Sequence, residues 1–297
     1  MISGYNLENL ILEEVQLNKR KPLLVYYDHG WNLSDLQVKS FIQNPYTYHF
    51  TWNRRISKIH SSIKNKKFII TGSPFIYYAQ KNGIKKKAIK NTIFFFSHTM
   101  PLIDQIIDLD KVISTLKNLP ENLKPIDVCL HYYDRKLKNI FEKEGFNVIT
   151  PGKVFSLDYH KKFFDILSQY SFSCSNTMGS YVLYSLFLDI PFHLVGPEPI
   201  YNNYGNDKNV PKIYKLSENK TAHDYSKLFK TFSKFVTKEQ KKLSTLELGL
   251  EDRISPSEMR KIIQTSAKIS LQNPLILKKY FNFYKRVTFA KFKSIVT

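Results

Sequence analysis

An α/β architecture built on parallel sheets is what the residue pattern of this chain spells out. Short apolar runs of strand length alternate with helix-length stretches, the pattern of parallel βα units. The runs are continuous rather than alternating, as in strands buried on both faces. Each ends in small or polar residues, and in such sheets ligands bind beyond the carboxyl ends of the strands.

The elements follow in order. Residues 23–27 (LLVYY) end in Asp28-His29-Gly30 and precede a helical pattern over 33–42. Residues 68–71 (FIIT) end in Gly72-Ser73-Pro74. Residues 93–96 (IFFF) end in Ser97-His98-Thr99, with a helical pattern over 103–119. Residues 126–130 (IDVCL) end in His131, and a helix is expected over 135–144. Residues 147–150 (NVIT) end in Pro151-Gly152, followed by a helix over 160–170. A short strand at 171–173 leads into Ser175-Asn176-Thr177 and a helix over 179–188. Residues 191–195 (PFHLV) end in Gly196-Pro197-Glu198. The β-branched and aromatic bias of these runs supports strands. From Ser217 onward the chain reads as helical and Lys-rich. IKKKAIKN, just before IFFF, reads as a charged linker. The expected division is an N-terminal α/β domain (1–90), a second α/β domain (91–216) and a basic helical segment (217–297) packing across both.

Composition narrows the functional classes. At ~150 residues per domain, 297 residues suggest two domains. An apolar share of 42% excludes a disordered chain. Lys plus Arg number 45 against 25 Asp plus Glu, a formal charge of +20. Such a charge suits an anionic partner: nucleic acid, anionic lipid or a phosphorylated small molecule. No RNP-like, zinc-finger or helix-turn-helix pattern is present, which sets nucleic acid aside. Two cysteines make no disulfide framework, so a reducing cytoplasmic setting is expected. There is no apolar run of 18 residues and no signal-peptide pattern at the start. A cytoplasmic protein is expected, with peripheral attachment to the inner face of the cell membrane left open.

The strand ends carry the candidate chemistry. Ser175, Asn176, Thr177, Gly179 and Ser180 lie between a strand and a helix, where free N–H groups and the helix dipole favour an anion; an ordinary N-cap explains the same residues. Asp28 and His29 are competent general bases, and Gly30 allows close backbone approach. Ser97, His98 and His131 occupy equivalent positions, where a His can donate to a phosphate or take a proton. Gly72 and Ser73 shape a turn or line the cleft. Glu198 can grip hydroxyls or sit in a surface turn. Asp108-Leu109-Asp110 has metal-chelating spacing but reads as a solvated helix face. P-loop and Rossmann glycine motifs are missing, as are CxxC, HExxH and GxSxG.

These residues together resemble a bacterial glycosyltransferase of GT-B type from surface-polysaccharide (capsule or lipopolysaccharide) biosynthesis. SNTMGSYVLYSLFLDIPFHLVG (175–196) is similar to the donor-side helix and turn of such enzymes. YYDHGW, GSPF and FFFSHT resemble their strand-end loops, and LHYYD resembles the His loop of sialyl- and Kdo-transferase-like families. The likeness spans about residues 23–200. It implies two Rossmann-like domains facing a cleft, with the donor nucleotide on the second domain and no bound metal or other cofactor. Asp28 matches the acceptor base of inverting members, with His29 as the alternative. Ser175, Asn176, Thr177, Gly179 and Ser180 match the phosphate-binding helix start. The sequence departs from the pattern at Tyr184, where a ribose-binding Glu is common, at Asp189 in place of a turn Gly, and at Tyr132 after His131.

The resulting expectation is a metal-independent, inverting transferase, of hexosyl or sialyl/Kdo type. It would move a sugar from a nucleotide sugar to a growing glycan or lipid-linked acceptor. A sugar-nucleotide epimerase on the same fold is the alternative, and a basic nucleic-acid-binding protein a more distant one. The stretch 275–296 interleaves six cations with aromatics. It suits either an anionic membrane surface or packing against the N-terminal domain.

Overall fold

The computed structural model of the protein describes residues 6–19, 22–37, 39–100, 102–205 and 211–277. Helix α1 (Leu7–Glu14) leads into the first sheet, and its Ile11 and Leu12 are fully buried. Strand β1 (Tyr26–Tyr27), helix α2 (Lys39–Gln43), strand β2 (Tyr48–Thr51), helix α3 (Arg54–His60) and strand β3 (Lys67–Ile70) follow. The three strands pair in parallel in the order β1-β2-β3. Helix α4 (Pro74–Lys81) packs on α1 and closes this unit.

The second sheet begins with β4 (Lys90–Phe95). After it come β5 (Ile103–Ile106), α5 (Leu109–Lys117), β6 (Ile126–Cys129), α6 (Lys138–Lys143), β7 (Asn147–Ile149) and α7 (Tyr159–Leu167). Strand β8 (Tyr170–Ser175), helix α8 (Ser180–Phe187) and strand β9 (Phe192–Leu194) complete it. The order is β7-β6-β4-β8-β9, all parallel. This is the arrangement in which strand order reverses between the first and fourth strands, and the crevice at that reversal is where doubly wound sheets bind ligands. Here the reversal falls between β4 and β8.

Strand alternation distributes the core. Phe94, Phe96, Val128 and Leu130 face α5 and α6, with Phe141 fully buried among them. Ile93, Phe95 and Cys129 face α7 and α8 in a larger cluster. That cluster also takes in Trp31, Trp52 and Phe75 from the first unit, so apolar packing runs between the two sheets. The third sheet is antiparallel, β5 with β10 (Ile200–Asn203) and β11 (Ile213–Tyr214). Helices α9 (Lys220–Ser226), α10 (Lys238–Glu247) and α11 (Pro256–Ser270) follow. Helix α10 contacts both α3 and α8, and α11 places Met259 and Ile263 behind the first sheet.

Several elements differ from expectation. The helix over 33–42 shrinks to α2. Asn32 and Ser34 instead accept bonds from nearby amides, at 2.9 Å to Ser34 N and 3.1 Å to Leu36 N. Such side chain–backbone bonds compete with helix formation. The helix over 103–119 divides: 103–106 pair as β5, and Asp108 caps α5 by accepting from Lys111 N at 2.9 Å. Asp108 is therefore a cap rather than part of a helix face, and both it and Asp110 are exposed. The strand at 171–173 extends to Ser175, so α8 starts only at Ser180. Strands β2, β10 and β11 carry no expectation from the sequence. Of the basic aromatic stretch 275–296, residues from 278 on lie outside the described ones. Among the described residues no helix is long and apolar enough to cross a membrane.

Candidate functional site

The switch point is built first by a side-chain clamp. Asn176 Oδ1 accepts the Ser97 amide at 2.9 Å, and Asn176 Nδ2 donates to Ser97 Oγ at 2.9 Å and to the Pro197 carbonyl at 3.3 Å. One buried amide side chain thus ties together the ends of β4, β8 and β9. Ser175 is fully buried, its hydroxyl 2.9 Å from that of Tyr181 and accepting from the Thr177 amide at 3.2 Å. These residues shape the loop.

Helix α8 then opens toward the crevice with no side-chain cap. Its N-cap is Gly179, in an extended conformation. The first amides of any α-helix lack intrahelical partners, so this end offers donors and a positive dipole. A Cβ on Gly179 would stand 2.7 Å from Tyr181 Cε1. The Tyr181 ring cannot easily yield, because it stacks on Phe95 at 4.8 Å and donates to the Thr177 carbonyl at 2.9 Å.

The end of β1 meets this helix directly. Ser180 Oγ accepts the Trp31 amide at 2.9 Å. Asp28, 6% exposed, closes the strand, with its amide on the Phe50 carbonyl at 3.0 Å and its own carbonyl accepting from Trp52 Nε1 at 3.3 Å. Burial pushes the Asp28 carboxyl up to about 8, against weaker opposing pulls from the Trp52 backbone and the Arg55 charge. His29 is exposed, and desolvation by the surrounding protein holds its pKa below the ordinary value. Gly30 lies against Ser180, whose Oγ would be 3.6 Å from an added Cβ.

The β4 and β6 ends contribute two stacked histidines, His98 and His131, with ring centroids 4.5 Å apart. Burial lowers His98 to about 4; burial and the neighbouring His98 lower His131 to about 3. Both rings are neutral at pH 7. His131 Nδ1 accepts from the Tyr133 amide at 3.4 Å, which puts the ring proton on Nε2, a buried atom with no hydrogen-bond partner among the described residues. Asp134 holds the neighbouring loop through the Thr99 amide at 3.0 Å and the Thr99 hydroxyl at 3.1 Å.

Three expected site residues, Gly72, Ser73 and Glu198, sit apart from this wall. Gly72 and Ser73 lie under the turn after α10: Ser73 N donates to the Leu248 carbonyl at 3.0 Å, and Ser73 Oγ is 3.1 Å from the Tyr184 hydroxyl. Tyr184 therefore packs toward the first sheet. Gly249 in the same turn has φ +67°, and an added Cβ would stand 1.8 Å from the Trp52 carbonyl. Glu198 accepts from the Ser217 amide at 2.7 Å and from its hydroxyl, tying the β9 turn to the start of the helical segment.

Sequence reasoning missed the hub beneath the site. Glu247, 3% exposed, accepts from Trp31 Nε1 at 2.8 Å, Asn53 Nδ2 at 3.2 Å, Arg55 Nη2 at 2.9 Å, Arg55 Nε at 3.0 Å and the Tyr225 hydroxyl at 3.0 Å. Arg55 also donates to the carbonyls of Asn32 and Ser34. The loop carrying Asp28 and Trp31 is thereby pinned from below. The Arg55 pKa is shaped by burial, which lowers it, and by Glu247, whose hydrogen bonds and charge raise it to a net increase. The one local signal was the TWNRR stretch after an aromatic run.

The arrangement offers an anion neutral donors and a helix dipole on one side, and a buried carboxyl on the other. Among the described residues no group of three His, Cys, Asp or Glu is placed to hold a metal ion. No family model matches the chain, and no curated protein matches it. A solved structure of the wall teichoic acid polymerase TagF is similar over 88% of this chain and 67% of that one, with 14% sequence identity and a TM-score of 0.35.

Proposed function

We propose that the protein is a glycosyltransferase that moves a sugar from a nucleotide-sugar donor to a hydroxyl of a growing surface glycan or lipid-linked acceptor, with inversion and without a metal. The observation that carries this reading is the Trp31–Ser180 hydrogen bond, which sets the Asp28 loop against the open start of α8 at the switch point. The donor phosphates sit on the α8 amides. Those groups stabilise the charge that builds on the leaving phosphate oxygen as the glycosidic C–O bond breaks. The acceptor oxygen bonds to the anomeric carbon, and its proton passes to Asp28. A carboxylate with a pKa near 8 is a far stronger base than an ordinary one, so kcat/KM rises with pH to a plateau above about 8.

The test is a panel of CMP-, UDP-, GDP- and TDP-sugars with glycan and lipid-linked acceptors, run in EDTA. One donor class should release its nucleotide only with acceptor present. Turnover of the nucleotide sugar without acceptor would assign an epimerase instead. Turnover abolished by EDTA and restored by magnesium would overturn the metal-free mechanism.

A further inference from the structure

A second surface lies around Asp189, the turn residue after α8, whose φ is +54°. Lys241 Nζ bonds Asp189 Oδ1 at 2.9 Å, and Lys86 Nζ reaches the Asp189 carbonyl at 3.3 Å. Two basic segments therefore converge here: residues 85–87, all Lys, and residues 227–242, which bring Lys230, Lys234, Lys238 and Lys242. These four lysines are exposed, and none is within ion-pair distance of a carboxylate among the described residues. The acids near these residues include Asp189, Asp224 and, beside Ile89, Asp127, each already paired with a lysine, and Glu239. Large apolar side chains project from the same basic segments. Phe235 is 78% exposed and Ile89 is 73% exposed, and Phe232 is exposed as well.

The projection is built. Ser233 Oγ donates to the Phe235 carbonyl and accepts the Phe235 amide at 3.2 Å, forming a fixed turn with Phe235 at its tip. Phe232 anchors that turn by stacking on His193 at 4.0 Å and lying 6.2 Å from Phe172 of β8. Ile89 adjoins the start of β8, since the Lys90 amide donates to the Gln169 carbonyl at 2.8 Å.

We propose that this surface docks on an anionic lipid bilayer, Phe235 and Ile89 entering the acyl boundary and the lysines meeting headgroups. Charge complementarity selects the occupant: unpaired lysines surround projecting apolar groups, the composition of interfacial anchors. The proposal does not depend on the reaction proposed above.

The test is co-sedimentation of the full chain with vesicles of equimolar phosphatidylcholine and phosphatidylglycerol, beside pure phosphatidylcholine vesicles. Binding is expected to the anionic vesicles only and to weaken with salt. Each of Lys230→Gln and Lys234→Gln should lower partitioning about fivefold, the effect of one cation near an anionic surface. Phe235→Ser should lower it about tenfold through lost apolar burial, with an unchanged melting transition. Phe235 is 78% exposed, so that variant removes little buried surface from the fold. Absence of binding, equal binding to neutral vesicles, or wild-type binding by Phe235→Ser would each overturn the proposal. Binding to a single-stranded oligonucleotide but not to vesicles would also overturn it.

Discussion

The carboxyl ends of the two parallel sheets meet at the Trp31–Ser180 bond with different chemistry. The first sheet ends in titratable groups: buried Asp28, whose carboxyl keeps its proton up to about pH 8, and beneath it the Arg55–Glu247 pair with a side-chain exposure of 19% and 4%. The second ends in neutral donors: the Asn176 clamp, the uncapped start of α8 and two histidines held neutral by burial. Under the proposed function, the difference separates the labours of group transfer. A proton acceptor needs a titratable group in a poor dielectric, whereas a phosphate can be held by fixed dipoles that carry no net charge.

Breaking the charged side should have the largest effect. Glu247→Ala leaves the half-buried Arg55 guanidinium and Trp31 Nε1 without their carboxylate, and removal of one partner of a buried pair costs up to about 3–5 kcal/mol. Denaturant unfolding should show that loss; a change within experimental error would mean that the pair is not holding the loop. Glu247→Gln keeps several of the acceptor contacts and should lose less.

Asp28→Asn should lower transfer at least ~100-fold, the scale of general-base loss, while nucleotide affinity stays near that of the wild type. Its effect on stability has the opposite sign. The Asp28 carboxyl is raised from 3.8 to about 8 in the folded state. Between those values the unfolded chain releases a proton that the folded one keeps, so stability falls as pH rises through this window. Asp28→Asn removes that decline and should be the more stable protein at pH 8. A variant that loses stability there would show that the carboxylate is charged and paired in the native state.

The neutral side is expected to respond more gently. Ser180→Ala deletes the acceptor of the Trp31 amide and should cost about 1 kcal/mol of stability, the net value of one such bond. It should also weaken donor binding modestly. An unchanged melting transition and affinity would mean that the two loops do not depend on each other.

How much of this was readable in advance follows the range of the interactions. The second sheet was legible because each of its strands is a local apolar run with a turn after it, and α8 because YVLYSLF is an uninterrupted helix former. Strand β2 escaped because YHFT holds His49, a residue that reads as polar yet is fully buried among Tyr26, Phe41 and Phe68. Strand β5 escaped because IDQIIDLDKVI satisfies helical and alternating patterns alike, and only pairing with β10, about 100 residues on, decides between them. The strand-end positions of Asp28, His98, His131 and Ser180 were visible as residue types. Glu247 was not, since its bond to Trp31 spans 216 residues. Nothing near LELGL distinguishes that acid from a solvated one.

The protein's two tryptophans, Trp31 and Trp52, both touch the Asp28 loop, whereas the proposed phosphate site lies on α8. Titrating CMP, UDP, GDP and TDP in EDTA while following tryptophan emission therefore tests whether the two sheets form one donor site. The account predicts that one nucleotide produces a saturable emission change and, at 100 times its Kd, stabilises the fold by about 2.7 kcal/mol. If none of the four alters either the emission or the melting transition, the crevice is not a nucleotide-sugar site.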